Sequence, residues 1–172
     1  MTTHAITVLG HDRPGIIAET TRRLADLGLN LEDSSMTRLR GHFAMTLVCA
    51  GDATDADLGE RLAPLAEDGT LTVTVFALPE DEPAEEPGTP YVVTVHGGDR
   101  PGIVSSVTTE IAAVGGNITD LTTRLTGELY VVVAELELPA GVDAGALDAA
   151  IRRVAGELGV EATLRPVEAD EL

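Results

Sequence analysis

Lysine is absent from the chain: all 11 basic residues are arginine, set against 29 Asp and Glu for a formal net charge of −18. An acid excess of this size repels phosphate backbones and anionic lipid surfaces, which argues against nucleic acid and membrane as partners. Tryptophan is absent too, and two Tyr and two Phe leave 2 % aromatics, too few for a base-stacking platform. One cysteine, Cys49, excludes an intramolecular disulfide and a four-cysteine zinc site. No apolar run approaches the roughly 20 residues of a membrane span. The opening MTTHAITVLGHD is neither basic nor apolar enough for an export signal, so the reading is a reduced, cytoplasmic protein. His4, His11, His42 and His96 lack zinc-type spacing, and no glycine-rich loop ends in Gly-Lys-Ser/Thr. Neither a metal nor a cofactor is expected.

What is present is globular. The 172 residues are 44 % hydrophobic and 23 % charged, enough for one medium domain or two small ones. An internal repeat decides for two. Gly10-His11-Asp12-Arg13-Pro14-Gly15-Ile16 recurs as Gly97-Gly98-Asp99-Arg100-Pro101-Gly102-Ile103, at an offset of 87. Gly28, Asn30 and Asp33 recur as Gly115, Asn117 and Asp120, and 11 of 24 positions from Gly10 to Asp33 are identical. Thr37-Arg38-Leu39 matches Thr123-Arg124-Leu125 at an offset of 86, which places a one-residue insertion in the first copy near Ser34-Ser35. Between the copies, Pro79 to Pro90 holds four prolines and five acids, a semi-rigid acidic tether. The expected layout is one module over 1–78, a linker over 79–90, a second module over 91–167 and an acidic tail over 168–172.

Each copy reads β-α-β-β-α-β. Ala5 to Leu9 is a β-branched run stopped by Gly10. Asp12 is placed to cap the next helix and Pro14 to occupy its first turn, with Ile17, Thr20, Leu24 and Leu27 at helical spacing up to Gly28. Asn30–Arg38 and His42–Cys49 read as a hairpin turning at Arg40-Gly41. Asp55 to Glu67 reads as a helix that Pro64 should shorten, and Leu71 to Leu78 as the last strand. In the second copy, Tyr91–His96, Pro101–Val114, Asn117–Leu125, Leu129–Leu138, a helix through Leu147, Ile151, Val154 and Leu158, and Val160–Val167 repeat the order. Two helices sharing one face of an antiparallel sheet make the α+β class, a split-βαβ sandwich in tandem.

The distinctive stretch is G-x-D-R-P-G-I between the first strand and first helix. A helix start offers free backbone N–H groups and partial positive charge, which suit an anion. Gly15 and Ile16, like Gly102 and Ile103, can offer N–H groups to a carboxylate. Asp12 or Asp99 can accept from an ammonium, and Asn30 or Asn117 supplies a carbonyl and an amide. Those groups suit a zwitterionic amino acid. The plainer reading makes Asp12 a cap, Pro14 a helix starter, Arg13 a surface ion-pair partner and Asn30 a turn residue. Cys49 reads as a small core residue with no base beside it.

GHDRPGII…LADLGLNLEDSSM and GGDRPGIV…IAAVGGNITDLTT resemble ACT domains, small βαββαβ regulatory modules that commonly sense amino acids. A free-standing tandem pair is similar to the glycine cleavage system transcriptional repressor family. The resemblance implies ligand sites at domain–domain interfaces, from the first loop and the start of the second strand. Carried over by position, these are Asp12, Arg13, Pro14, Gly15, Ile16, Asn30 and Leu31. In the second copy they are Asp99, Arg100, Pro101, Gly102, Ile103, Asn117 and Ile118. His11 is matched by Gly98, so the two corners are not equivalent.

The leading expectation is a non-catalytic regulator. It takes a small amino acid or related effector and acts through a partner protein as a homodimer or higher oligomer, with transcriptional control of amino-acid metabolism as its setting. A ligand-independent interaction module competes with it. An acylphosphatase-like enzyme is a weaker alternative, because Pro14 removes an N–H that a phosphate cradle needs. An RNA-binding sheet is weaker still, given the charge and the lack of aromatics.

Overall fold

The computed structural model describes residues 2–79 and 88–167. Most of the acidic tether, and the acidic tail at 168–172, lie outside the described residues. The chain divides into two compact units, Met1–Pro83 and Ala84–Leu172.

The first unit runs β1 (Thr2–His11), α1 (Ile16–Asp26), β2 (Asn30–Leu39), β3 (His42–Gly51), α2 (Asp55–Leu62), a 3-10 turn (Ala63–Ala66) and β4 (Leu71–Ala77). Its strands form one antiparallel sheet ordered β2-β3-β1-β4. Alternation places Ile6 and Val8 of β1 and Phe43, Met45 and Leu47 of β3 on the buried face. Leu24 of α1 and Leu58 and Leu62 of α2 close the core against them. Thr54 caps α2: its hydroxyl accepts the Asp57 N–H at 3.2 Å, while Asp57 Oδ2 accepts the Thr54 N–H at 2.9 Å. Pro64 cannot donate to the α-helical ladder, and α2 gives way to the 3-10 turn at Ala63 as expected.

The second unit repeats the plan with β5 (Thr89–Gly98), α3 (Ile103–Ala113), β6 (Asn117–Thr126), β7 (Leu129–Leu138), α4 (Ala144–Glu157) and β8 (Val160–Pro166). The sheet order is β6-β7-β5-β8, and Val93, Val95, Val107, Leu136 and Ile151 are among its core residues.

Several local expectations change. Helix α1 begins at Ile16, so Pro14 precedes it instead of filling its first turn. Its N-cap is Gly15 at φ 91°, with no side chain capping it, and Asp12 therefore has another role. The buried stripe is Ile16, Thr20 and Leu24, while Ile17 is turned out and 44 % exposed. Strands β1 and β5 run through Gly10 and Gly97 because the last strand of each unit presses against them. A Cβ on Gly10 would stand 2.1 Å from the Thr70 carbonyl oxygen, and one on Gly97 would stand 2.6 Å from Val160 Cγ1.

The insertion near Ser34 is absent. In both copies the second strand carries one bulge, after Leu31 and after Ile118, and then stays in step: Thr37 faces Ala44 and Arg124 faces Val131, an unchanged offset of 87. The equivalent of Arg38 is therefore Leu125, not Arg124. A one-residue step reverses the side of the sheet, so Arg38 lies on the helix side with Phe43, whereas Arg124 lies on the opposite side with Val131.

Candidate functional site

The loop after β1 is held from two directions. The His11 N–H donates to the Thr70 carbonyl at 2.9 Å, and the Asp12 N–H donates to the Gly41 carbonyl at 3.2 Å. Asp12 does not cap α1; its Oδ2 accepts from Arg38 Nη1 at 3.3 Å. That contact depends on Arg38 standing on the helix side of β2. Arg124, on the other side of β6, donates to the Thr123 carbonyl at 3.0 Å.

The helix starts keep free donors. Helices α1 and α3 begin after left-handed Gly15 (φ 91°) and Gly102 (φ 96°), and neither has a side-chain cap. The first hydrogen bonds back to these glycines come from Glu19 and Ser106, both at 2.9 Å. The amides of Ile16, Ile17 and Ala18, and of Ile103, Val104 and Ser105, precede those bonds and have no partner within their helices. Nothing lies within 4 Å of a Cβ built on Gly15 or Gly102, so both corners are open. Ile16 and Ile103 are each 1 % exposed, so they anchor the two helix starts in the core.

The two loop arginines lean toward the turn before the last strand. Arg13 Nη1 lies 3.7 Å from Glu19 Oε2, and Arg13 also helps hold the Asp68 carboxyl below its ordinary range, after the hydrogen bonds from Thr70. Arg13 Nε is shielded from solvent without an acceptor. Arg100 lies over Gly159, where a Cβ would stand 3.3 Å from its Nη1. Glu19 is held below the usual carboxylate range, first by its hydrogen bond from Arg23 at 2.8 Å.

Asn30 and Asn117 are exposed at the starts of β2 and β6. Asn30 pairs with Ala50, which pairs with Thr3, whereas His11 pairs with His42 beside Leu39. The amide and the loop thus occupy opposite ends of the sheet, about eight strand residues or roughly 27 Å apart. One module does not gather Asp12, Gly15 and Asn30 around one ligand, and the second repeats the separation through Asn117, Glu137 and Pro90. Leu31 is 42 % exposed at the Asn30 end, and Ile118 is half-buried at the corresponding place.

The sequence leaves His4 as a surface or core histidine; the structure puts it in the core, 1 % exposed, with Nδ1 at 2.8 Å from Asp55 Oδ1 and Nε2 at 2.9 Å from the Ala53 carbonyl. It ties β1 to the start of α2. Its place on the core face of an alternating strand was the available signal. Cys49 is buried, and desolvation, followed by the charge of Glu32, pushes its thiol up, which disfavours the thiolate. No group of metal-binding side chains occurs among the described residues, and no helix among them is long and apolar enough to cross a membrane.

A family model described as the ACT domain matches residues 3–75 and again 89–165. The chain belongs to the ACT domain family. Both ACT modules include the D-R-P-G loop and the strand that begins with asparagine. The chain is 27 % identical over 168 residues to the glycine cleavage system transcriptional repressor of Escherichia coli K12, covering 94 % of this chain and 88 % of that protein. A UPF0237 protein of Methanopyrus kandleri is 39 % identical over 82 residues, 47 % of this chain and 91 % of its own length. Among solved structures, an unknown protein from Galdieria sulphuraria matches with a TM-score of 0.80 and 26 % identity, covering 97 % of this chain and 99 % of that one. A putative glycine cleavage system transcriptional repressor shares the fold at a TM-score of 0.68 and 19 % identity, with 98 % of each chain covered.

Proposed function

We propose that this tandem ACT protein is a non-catalytic regulator that senses a small amino acid and acts by changing its association with a partner protein. The observation that carries this reading is the pair of uncapped helix starts at Gly15 and Gly102, each open and each followed by amides without helical partners. Such a corner suits the α-carboxylate of an amino acid. An ammonium needs acceptors, which Asp99 and the side-chain carbonyl of Asn30 or Asn117 supply.

Because loop and amide stand at opposite ends of a module, the complete site draws its loop from one chain and its asparagine from a second copy of the chain. The ligand then stabilises the arrangement it bridges, and differential affinity for that arrangement is the switch. The stretch from Pro79 to Gly88 serves as the tether, since Thr89 and Pro90 already belong to β5. The repressor named among the relatives supports a setting in transcriptional control of amino-acid metabolism, inside the cytoplasm.

Titration calorimetry with glycine, serine and the branched and aromatic amino acids tests this. Binding at millimolar concentration or tighter, abolished in Asn117→Ala, supports it. No heat with any member of the panel, together with partner capture that ignores added amino acids, favours a ligand-independent interaction module. The occupation of Asp12 by Arg38 supports that second role for the first loop.

A further inference from the structure

The two modules differ on the side of the sheet that carries no helices. In the second module this face is charged: Glu135 and Glu137 of β7 and Glu161 and Arg165 of β8 point outward in register with β5, and Asp120 and Arg124 of β6 join them. An antiparallel sheet with one wetted face is expected to look like this. In the first module every outward position from Thr3 to Leu9, from Ala44 to Ala50 and from Thr72 to Phe76 is uncharged. Its middle is a row of threonines, Thr46, Thr7 and Thr74, in direct register, flanked by Ala5, Val48 and Phe76. Phe76 is 48 % exposed and Leu9 is 55 % exposed. Charge appears only at the margin, at Asp33 on the edge strand, with His11 and His42 at the hairpin end.

We infer that this uncharged sheet face of the first module is a docking surface for the same face of a second copy of the chain, packed sheet to sheet about a two-fold axis. Charge selects the occupant. A chain carrying −18 repels its own copies over most of its surface, and a face without charges is where two copies approach without burying unpaired carboxylates. A face bearing Glu135, Glu137 and Glu161 would leave those carboxylates desolvated. A two-fold interface requires a self-complementary patch, and a flat lattice of Thr, Ala and Val meets that condition. These side chains also lose little rotamer freedom when covered. The hydroxyls of Thr7 and Thr74 already hydrogen-bond to each other, so each keeps one partner when the face is covered.

Four strands about 4.8 Å apart, with the uncharged positions spread over roughly 24 Å of strand, present about 450 Å² per copy. Two such faces bury about 900 Å², the size of a weak, reversible complex.

Sedimentation velocity of the full chain tests the inference, with Thr46→Asp at the centre of the face and Val133→Asp on the outer face of the second module as control. The expected result is a wild-type dimer that Val133→Asp leaves intact and Thr46→Asp weakens more than about a hundredfold, since like charges facing each other at an interface cost several kcal/mol. Mixing Thr46→Asp with Thr46→Arg is expected to restore a dimer, which a misfolded variant could not do; thermal melts confirm that both variants fold. A monomeric wild type overturns the inference. So does a dimer untouched by Thr46→Asp, or a mixture of folded Asp and Arg variants that stays monomeric. Amino acids are absent throughout, so failure here leaves the sensing proposal standing.

Discussion

Asp12 and Asn30 stand at opposite ends of the same four-stranded sheet, Asp12 beside the Gly41 hairpin and Asn30 level with Thr3. They recur together at each copy of the motif but cannot share a ligand inside one module.

Gly10 is fixed by close approach to the Thr70 carbonyl oxygen, 2.1 Å from the position a Cβ would take. Gly10→Ala is expected to cost about 2 kcal/mol or more, because backbone of β4 must move. Gly98→Ala, where nothing lies within 4 Å of the added atom, should stay within about 0.5 kcal/mol. Urea melts of the two variants check the contrast, and equal losses would contradict it.

His4 bonds to the Asp55 carboxylate at 2.8 Å and the Ala53 carbonyl at 2.9 Å from inside the core. Both neighbours offer oxygen atoms to the ring, which ties β1 to the start of α2. His4→Ala should lose about 2 kcal/mol or more, from the cavity and the lost contacts to the start of α2. Hydrogen exchange should report the loss first at the amides of α2.

The carboxyl of Asp148 is pushed up by partial burial but held below its ordinary range overall by Arg152 Nε at 2.7 Å and the Leu164 N–H at 2.8 Å. Glu19 is lowered in the same sense by Arg23. A carboxyl whose folded pKa is depressed contributes stability above its unfolded value, and that contribution disappears as pH falls through the folded value. Stability should therefore decline on acidification through the carboxylate range, and Asp148→Asn should decline less steeply than wild type. Denaturant midpoints across that range measure both slopes; parallel slopes would contradict the assignment.

The Asp12–Arg38 pair is exposed on its arginine side, at 67 %. Exposed pairs contribute little, so Arg38→Ala should change stability by less than about 1 kcal/mol. Under the sensing account the same substitution frees Asp12 and strengthens amino-acid binding at the first loop, which calorimetry can read alongside the melt.

Elements governed by local chemistry were legible in the sequence: the β-α-β-β-α-β order, the turn at Arg40-Gly41 and the shortening of α2 by Pro64. Those governed by contacts distant along the chain were not. Asp12 resembles a cap until Arg38 is brought beside it by the register of β2. The Thr37-Arg38-Leu39 match read as an insertion because three identical letters outweighed an unchanged strand pairing, and only the ladder reveals that Arg38 and Arg124 lie on opposite sides. Asn30 looked adjacent to the loop because the motif is short in sequence, whereas α1 carries the chain back along the sheet between them. The bare outer face of the first module was present as alternating Thr and Ala, but its contrast with the second module emerges once both sheets are in register.

The most direct test of the central claim is amide NMR of the full chain titrated with the amino-acid panel. The account predicts that at least one amino acid shifts the amides of Ile16 to Ala18 or Ile103 to Ser105 together with the side-chain amide of Asn30 or Asn117, with one shared midpoint. Saturating amino acids that leave these signals in place, or that move a helix start without either asparagine, would contradict it.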